Sequence, residues 1–242
     1  MKKLASILAL ASVAGLSQAA VSINSSFFTY TDTFTGFEGA ADPANWTTSD
    51  APGVASSTWQ GTGTGSSNTG GKWSYGDSGS GASFDGSLGF LPSSTRAINA
   101  DIEFVNDSGA PLIYLEISYV AEHWRSDNDG RNNGWAVSYS VNGGAFTSLD
   151  DLQYVAANTN PNGVNPNGGP WESVALSQTV TGISIPVDAV ITVRFFGDNG
   201  TGGGARQGVA IDDFSFTAIP EPSTALFGLM AALGFAVRRR RA

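Results

Sequence analysis

A chain of 242 residues with 31 glycines, no cysteine and only 14% charged residues has material for one large or two small domains, and it excludes disulfides, catalytic thiols and thiolate metal sites. Its formal net charge is −9, and six of its 12 basic residues sit at the ends. Between Ala20 and Ile219, Lys72, Arg96, Arg125, Arg131, Arg194 and Arg206 stand against 20 acidic residues, a balance of −14 that does not suit nucleic acid and leaves divalent cations and neutral polymers as partners.

Residues 1–19 read as a secretory signal peptide. Lys2 and Lys3 form the basic start, Leu4 to Leu16 the apolar stretch, and Ser17 and Ala19 the small residues that place cleavage after Ala19. The other reading, an N-terminal membrane anchor, needs a longer apolar stretch than this one.

Residues 20–218 contain no convincing amphipathic helix and are expected to form one all-β, two-sheet antiparallel sandwich domain. An early turn, Phe37-Glu38-Gly39, is followed by Asn45-Trp46, and 61–71 is a Gly-rich, low-complexity connection. Alternation then marks five strands. In AINADIEFV, Ile98, Ala100, Ile102 and Phe104 share a face. In PLIYLEISYVAEHW, Ile113, Leu115, Ile117 and Tyr119 face one way, and Tyr114, Glu116, Ser118, Glu122 and Trp124 the other. GWAVSYSV puts Trp135, Val137, Tyr139 and Val141 inward, with Asn142-Gly143-Gly144 as a hairpin turn after it. NPNGVNPNGGP, with its doubled Asn-Pro-Asn-Gly, reads as successive turns in one long loop. AVITVRFF puts Ile191, Val193 and Phe195 inward, and GVAIDDFSFT puts Ala210, Asp212, Phe214 and Phe216 on one side. One-sided strands joined by long loops imply two sheets packed face to face.

Residues 219–242 form a third segment. Thr224 to Val237 carries no charge, and as a helix would reach about 21 Å. That is short for a hydrocarbon core of about 30 Å, so a transmembrane helix here is a transient anchor rather than a permanent span. Four arginines close it as a stop-transfer cluster that stays cytoplasmic. Pro220-Glu221-Pro222-Ser223, the apolar run and the terminal Arg238, Arg239, Arg240 and Arg241 resemble the PEP-CTERM sorting signal. The resemblance implies export from a Gram-negative bacterium that makes extracellular polysaccharide, and recognition of Pro220, Glu221 and Pro222 outside the membrane by an exosortase, a membrane-embedded processing enzyme. The location it implies is the cell envelope or extracellular matrix.

The body, over Phe84 to Thr217, resembles a jelly-roll-like module of exported bacterial proteins, with Tyr119-Val-Ala-Glu122-His-Trp124-Arg125 as the marker segment. In jelly-roll carbohydrate-binding domains an early Phe-Glu-Gly-like turn and an Asp on the final strand share a structural calcium (Ca2+). The resemblance implies Glu38, Asp212 and Asp213 as metal ligands. The alternative is that the two aspartates accept backbone hydrogen bonds at a strand end. A second acidic loop, Arg125 to Gly134, offers Asp127, Asp129 and Asn132 but lacks the closing Glu of a calcium loop, and reads as a solvated hairpin tip.

Tyr114, Glu116, Glu122 and Trp124 form the candidate ligand-binding set, because aromatic faces stack on sugar rings while carboxylates orient hydroxyls. Against this stands a plain structural reading, with Glu116 paired to Arg194 across strands and Trp124 covering a sheet edge. Catalysis is poorly provisioned. His123 is the only histidine, which excludes a multi-imidazole zinc site, and no Gly-x-Ser-x-Gly elbow or phosphate-binding loop is present. Two of Glu103, Glu116 and Glu122 would meet the minimum for a glycosidase. The expected function is therefore that of a non-enzymatic envelope or matrix protein that binds polysaccharide and calcium. A polysaccharide-acting hydrolase or lyase and a purely structural or adhesive surface protein are the alternatives.

Overall fold

The computed structural model describes residues 18–52, 56–77, 84–92, 96–127, 133–157, 160–197, 200 and 206–222. The signal sequence up to Ser17, the apolar tail with its arginines from Ser223 onward, and Asp129 and Asn132 lie outside the described residues. In chain order the strands are β1 (Val21–Ile23), β2 (Phe28–Asp32), β3 (Trp46–Asp50), β4 (Trp59–Gly63), β5 (Gly71–Gly76), β6 (Gly86–Leu91) and β7 (Ile98–Asn106). They continue with β8 (Leu112–Arg125), β9 (Gly134–Val141), β10 (Thr147–Ser148), β11 (Tyr154–Val155), β12 (Glu172–Ile185), β13 (Val190–Gly197) and β14 (Gly208–Pro220). One 3₁₀ turn, Asp150–Leu152, is the only helical element among the described residues.

These strands make two seven-stranded sheets. The first runs β1-β7-β13-β9-β10, with β3 also on β7 and β11 also on β9; the second runs β12-β8-β14-β6-β5-β4, with β2 also on β14. Pairing is antiparallel except for β1 with β7 and β4 with β5. The five strands expected from alternation are β7, β8, β9, β13 and β14, and they form the centre of both sheets.

Aromatic side chains fill the space between the sheets. Phe104 of the first sheet stacks on Phe216 of the second at 3.8 Å between ring centroids, and Trp46 meets Phe214 edge-on at 5.1 Å. Tyr119 meets Phe195 at 4.9 Å, and its hydroxyl donates to the Leu152 carbonyl (2.9 Å). Such pairs add to the large apolar area each ring buries. A second, smaller cluster of Trp73, Tyr75, Leu91, Trp124 and Ala210 lies apart from this core, with Tyr75 stacked between the two indoles at 6.1 Å from each.

Two β-bulges overturn two expected facings. On β14, Asp212 pairs with Val120 but Ser215 pairs with Ser118, so β14 carries one extra residue, and Asp213 takes a left-handed φ of 45° there. Val209 and Ile211 face the core before the bulge, and Phe214, Phe216 and Ala218 after it. Asp212 therefore does not share a face with Phe214 and Phe216, because the extra residue reverses the alternation. At the start of β8, Tyr114 pairs with Ile219 and Leu112 with Pro220, leaving Ile113 as the unpaired residue. Ile113 is consequently exposed, and Leu112 is buried in its place.

Candidate functional site

The bulge on β14 builds a site on the outer face of the second sheet. Asp212 is turned out of the core, and β8 places Glu122 opposite Ala210, two positions along β14 from Asp212. Next to them β6 contributes Ser87, since its Leu88 pairs with Ile211. Asp77, Asp85, Gly86, Ser87, Glu122, Trp124, Pro170 and Asp212 line a pocket of about 110 Å³.

Burial controls the charge of this pocket. Loss of hydration pushes the Asp212 carboxyl up to about 7, opposed by the hydrogen bond from the Asp213 amide and reinforced by the negative charges of Glu122, Asp213 and Asp85. Burial also raises Glu122, while hydrogen bonds from the Trp124 indole (2.6 Å) and from Ser87 hold it back. Asp212 can thus donate a hydroxyl when protonated, and the carboxyl oxygens of Asp212 and Glu122 can accept hydrogen bonds.

The four residues expected to bind a ligand fall into two pairs. Tyr114 donates to Glu116 (3.0 Å) near the start of β8, and Trp124 donates to Glu122 near its end, about 27 Å away along the strand. Trp124 is only 4% exposed, so its ring is not an open stacking platform. Tyr75 covers one face, and the chain at Gly65, in a left-handed φ of 81°, lies so close that a Cβ there would overlap the Trp124 carbonyl. Arg194 is in the other sheet and does not meet Glu116; it makes a bidentate pair with Asp101 (2.7 and 2.8 Å), directly across from it on β7, and stacks on Phe146.

His123 is fully buried and structural. Its Nε2 donates to the Arg125 carbonyl and to Gln207 Oε1, both at 2.8 Å, while Gln207 bonds in turn to both backbone groups of Asp127. Burial lowers its affinity for a proton, which keeps the ring neutral. Asp127 itself is buried rather than solvated.

Two of the residues expected to hold calcium line pockets. Glu38 lines a pocket formed by the 32–44 turn, whereas Asp212 lines the pocket on the sheet. Among the described residues no group of three or more carboxylate or imidazole side chains is placed to hold a metal ion. The acidic residues that organise the 32–44 turn are Asp32 and Asp42, which inspection of the sequence does not single out. Asp32 accepts from the Trp46 indole and the Phe34 amide, both at 2.9 Å. Asp42 accepts from the Trp59 indole (2.9 Å) and from the hydroxyl and amide of Thr48 (2.5 and 2.9 Å). The legible signal for both was an aspartate within reach of a Trp that must bury its N–H.

The sorting residues sit at one end of β14. Pro220 is buried as the last residue of the strand, paired with Leu112, and the Glu221 amide donates to the Pro111 carbonyl (2.7 Å). The Glu221 side chain and Pro222 are exposed.

Comparison with curated proteins finds no match. Among solved structures the chain is similar to TmCBM61 in complex with β-1,4-galactotriose (14% identity, 78% of this chain and 96% of that one, TM-score 0.39). It is also similar to the CBM22-1 xylan-binding domain of Paenibacillus barcinonensis Xyn10C (9% identity, 82% and 99%, TM-score 0.38). A third is an endo-1,3-β-glucanase from Streptomyces sioyaensis (13% identity, 84% and 100%, TM-score 0.40). Residues 218–241 match the PEP-CTERM protein-sorting motif, which marks the chain as exported and sorted by way of the membrane.

Proposed function

We propose that this chain is a non-enzymatic β-sandwich protein of the cell envelope or matrix, processed at its Pro-Glu-Pro tail by an exosortase-type enzyme, and that it binds neutral extracellular polysaccharide. The observation that carries the binding is the pocket on the outer face of the second sheet, where Asp212 and Glu122 supply a proton donor and acceptors to hydroxyl-rich ligands beside the edge of Trp124. The acidic body favours neutral over anionic polymers. A pull-down with exopolysaccharide and a glycan array test this. Retention should fall about tenfold in Glu122→Gln or Asp212→Asn, the loss of one good hydrogen bond to a charged or buried group. If the mature protein retains no glycan, a structural or adhesive role replaces binding.

The same carboxyl pair favours a second reading. Two neighbouring carboxyl groups, one of them with its proton affinity raised by burial, are what glycoside cleavage requires, so a hydrolase or lyase is the alternative. Release of reducing ends from the polysaccharide, lost in Glu122→Gln, decides for it. Calcium binding through Glu38, Asp212 and Asp213 is a separate proposal. It predicts a rise in unfolding temperature with added calcium that disappears in Asp212→Ala.

A further inference from the structure

Five large apolar side chains are exposed among the described residues, and three of them lie in one row at the end of the sandwich from which the tail leaves: Phe27 (65% exposed), Ile113 (37%) and Val187 (38%). The row follows from strand order. At this end β2, β14, β8 and β12 are successive neighbours, with Phe28 paired to Ala218, Pro220 to Leu112 and Leu112 to Ile185. Phe27 precedes β2, Glu221 follows β14, Ile113 is the bulge residue of β8, and Val187 lies in the turn after β12. Four adjacent strands place them within roughly 14 Å, with the exit of the chain flanked by Phe27 on one side and Ile113 and Val187 on the other. The Ser25 hydroxyl, donating to the Phe27 carbonyl (2.8 Å), ties down the loop that presents Phe27.

The chain is bonded to the sheet as far as Glu221. Only Pro222 and Ser223 then precede the uncharged run from Thr224 to Val237, and two extended residues reach about 7 Å. A tail inserted in a bilayer therefore holds this end of the body against the lipid headgroups at high effective concentration. The charged side chains at this end are Asp107, Asp188 and Glu221, while the described basic residues, Lys72, Arg96, Arg125, Arg194 and Arg206, all lie further along the strands or at the opposite end. Contact with lipid must accordingly come from apolar insertion rather than from attraction to anionic headgroups.

We propose that this end of the sandwich is a lipid-contacting surface, in which Phe27, Ile113 and Val187 enter the interfacial layer of the membrane around the point where the tail emerges. The proposal rests on the reading of the tail as membrane-directed, and the two are separable by experiment. Because the chain has no cysteine, the single variants Phe27→Cys, Val187→Cys and Val155→Cys each take one polarity-sensitive fluorophore, Val155 being an exposed apolar residue on β11 at the far end. Each full-length labelled chain is mixed with phosphatidylcholine vesicles carrying spin-labelled lipid and floated on a density gradient. Flotation of all three reports the tail. The docking surface is reported by a blue-shifted, quenched probe at 27 and 187 and a water-like probe at 155. Chains that float with all three probes water-like overturn the docking surface and leave the tail reading intact. Chains that do not float overturn both.

Discussion

Asp212 and Phe214, two residues apart on β14, face opposite sides of the sheet because Asp213 between them adopts a left-handed conformation in a bulge. That one residue sends Phe214 into the core and Asp212 into the outer pocket. Asp213→Gly should be neutral or stabilising, and Asp213→Val should cost about 1–2 kcal/mol, since a β-branched side chain resists this backbone conformation. Urea unfolding with unchanged m-value checks both.

The outer pocket makes stability depend on pH. The folded-state value of Asp212, about 7, lies above its ordinary value of 3.8, so the protonated form is favoured by folding. Its contribution is fully present below about pH 4 and is lost as pH rises through 7. His123 works the other way, being held neutral by burial, so its contribution is lost as pH falls below its ordinary value of 6.5. Comparison of wild type with Asp212→Asn isolates the carboxyl: the variant should lose most of the decline in unfolding temperature between pH 5 and pH 8. An unchanged decline would show that Asp212 does not hold its proton.

Trp46 joins the two sheets, touching Phe34, Phe195 and Phe214 while its indole donates to Asp32. Trp46→Ala should cost about 3–5 kcal/mol through the cavity it leaves. Asp32→Ala should cost about 1–3 kcal/mol, because it strands the buried indole N–H. Thermal unfolding of the two single variants and the double variant should give less than additive losses, as both remove the same hydrogen bond.

The Asp101–Arg194 pair lies on a partly exposed outer face, with side chains 17% and 29% accessible. Arg194→Ala should therefore cost no more than about 1 kcal/mol despite the bidentate geometry, and high salt should shrink the difference further. A double-mutant cycle with Asp101→Ala measures the coupling.

The single binding set expected on β8, which the structure divides into two pairs, shows where alternation is a sufficient guide. In β7, β9 and β13 the inward residues were legible because each strand has one buried and one outer face, and a period of two assigns every side chain. In β8 and β14 the same rule holds only between bulges. Ile113 and Asp212 are the residues beyond that limit, as a bulge is set by how three strands fit together and leaves no mark in the polarity pattern. β12 also went unread. Its Val174, Leu176 and Val180 share a face, but Ala175 lies between the first two and all three are only half-buried at a sheet edge, so the contrast is weak.

Composition, the two ends of the chain and the strand alternation determined, from sequence alone, an all-β body with an acidic surface and a sorting motif at its C-terminus, because these depend on residue type and local period. Tertiary structure decided which carboxyls meet. Glu122 and Asp212, 90 positions apart in the chain, share a pocket, while Arg194 lies in the other sheet, since strand order and register decide which residues come together. It also decided that Pro220 belongs to the last strand and that three exposed apolar residues surround the exit of the tail. Four strands far apart in sequence end side by side there, and no local pattern encodes that meeting.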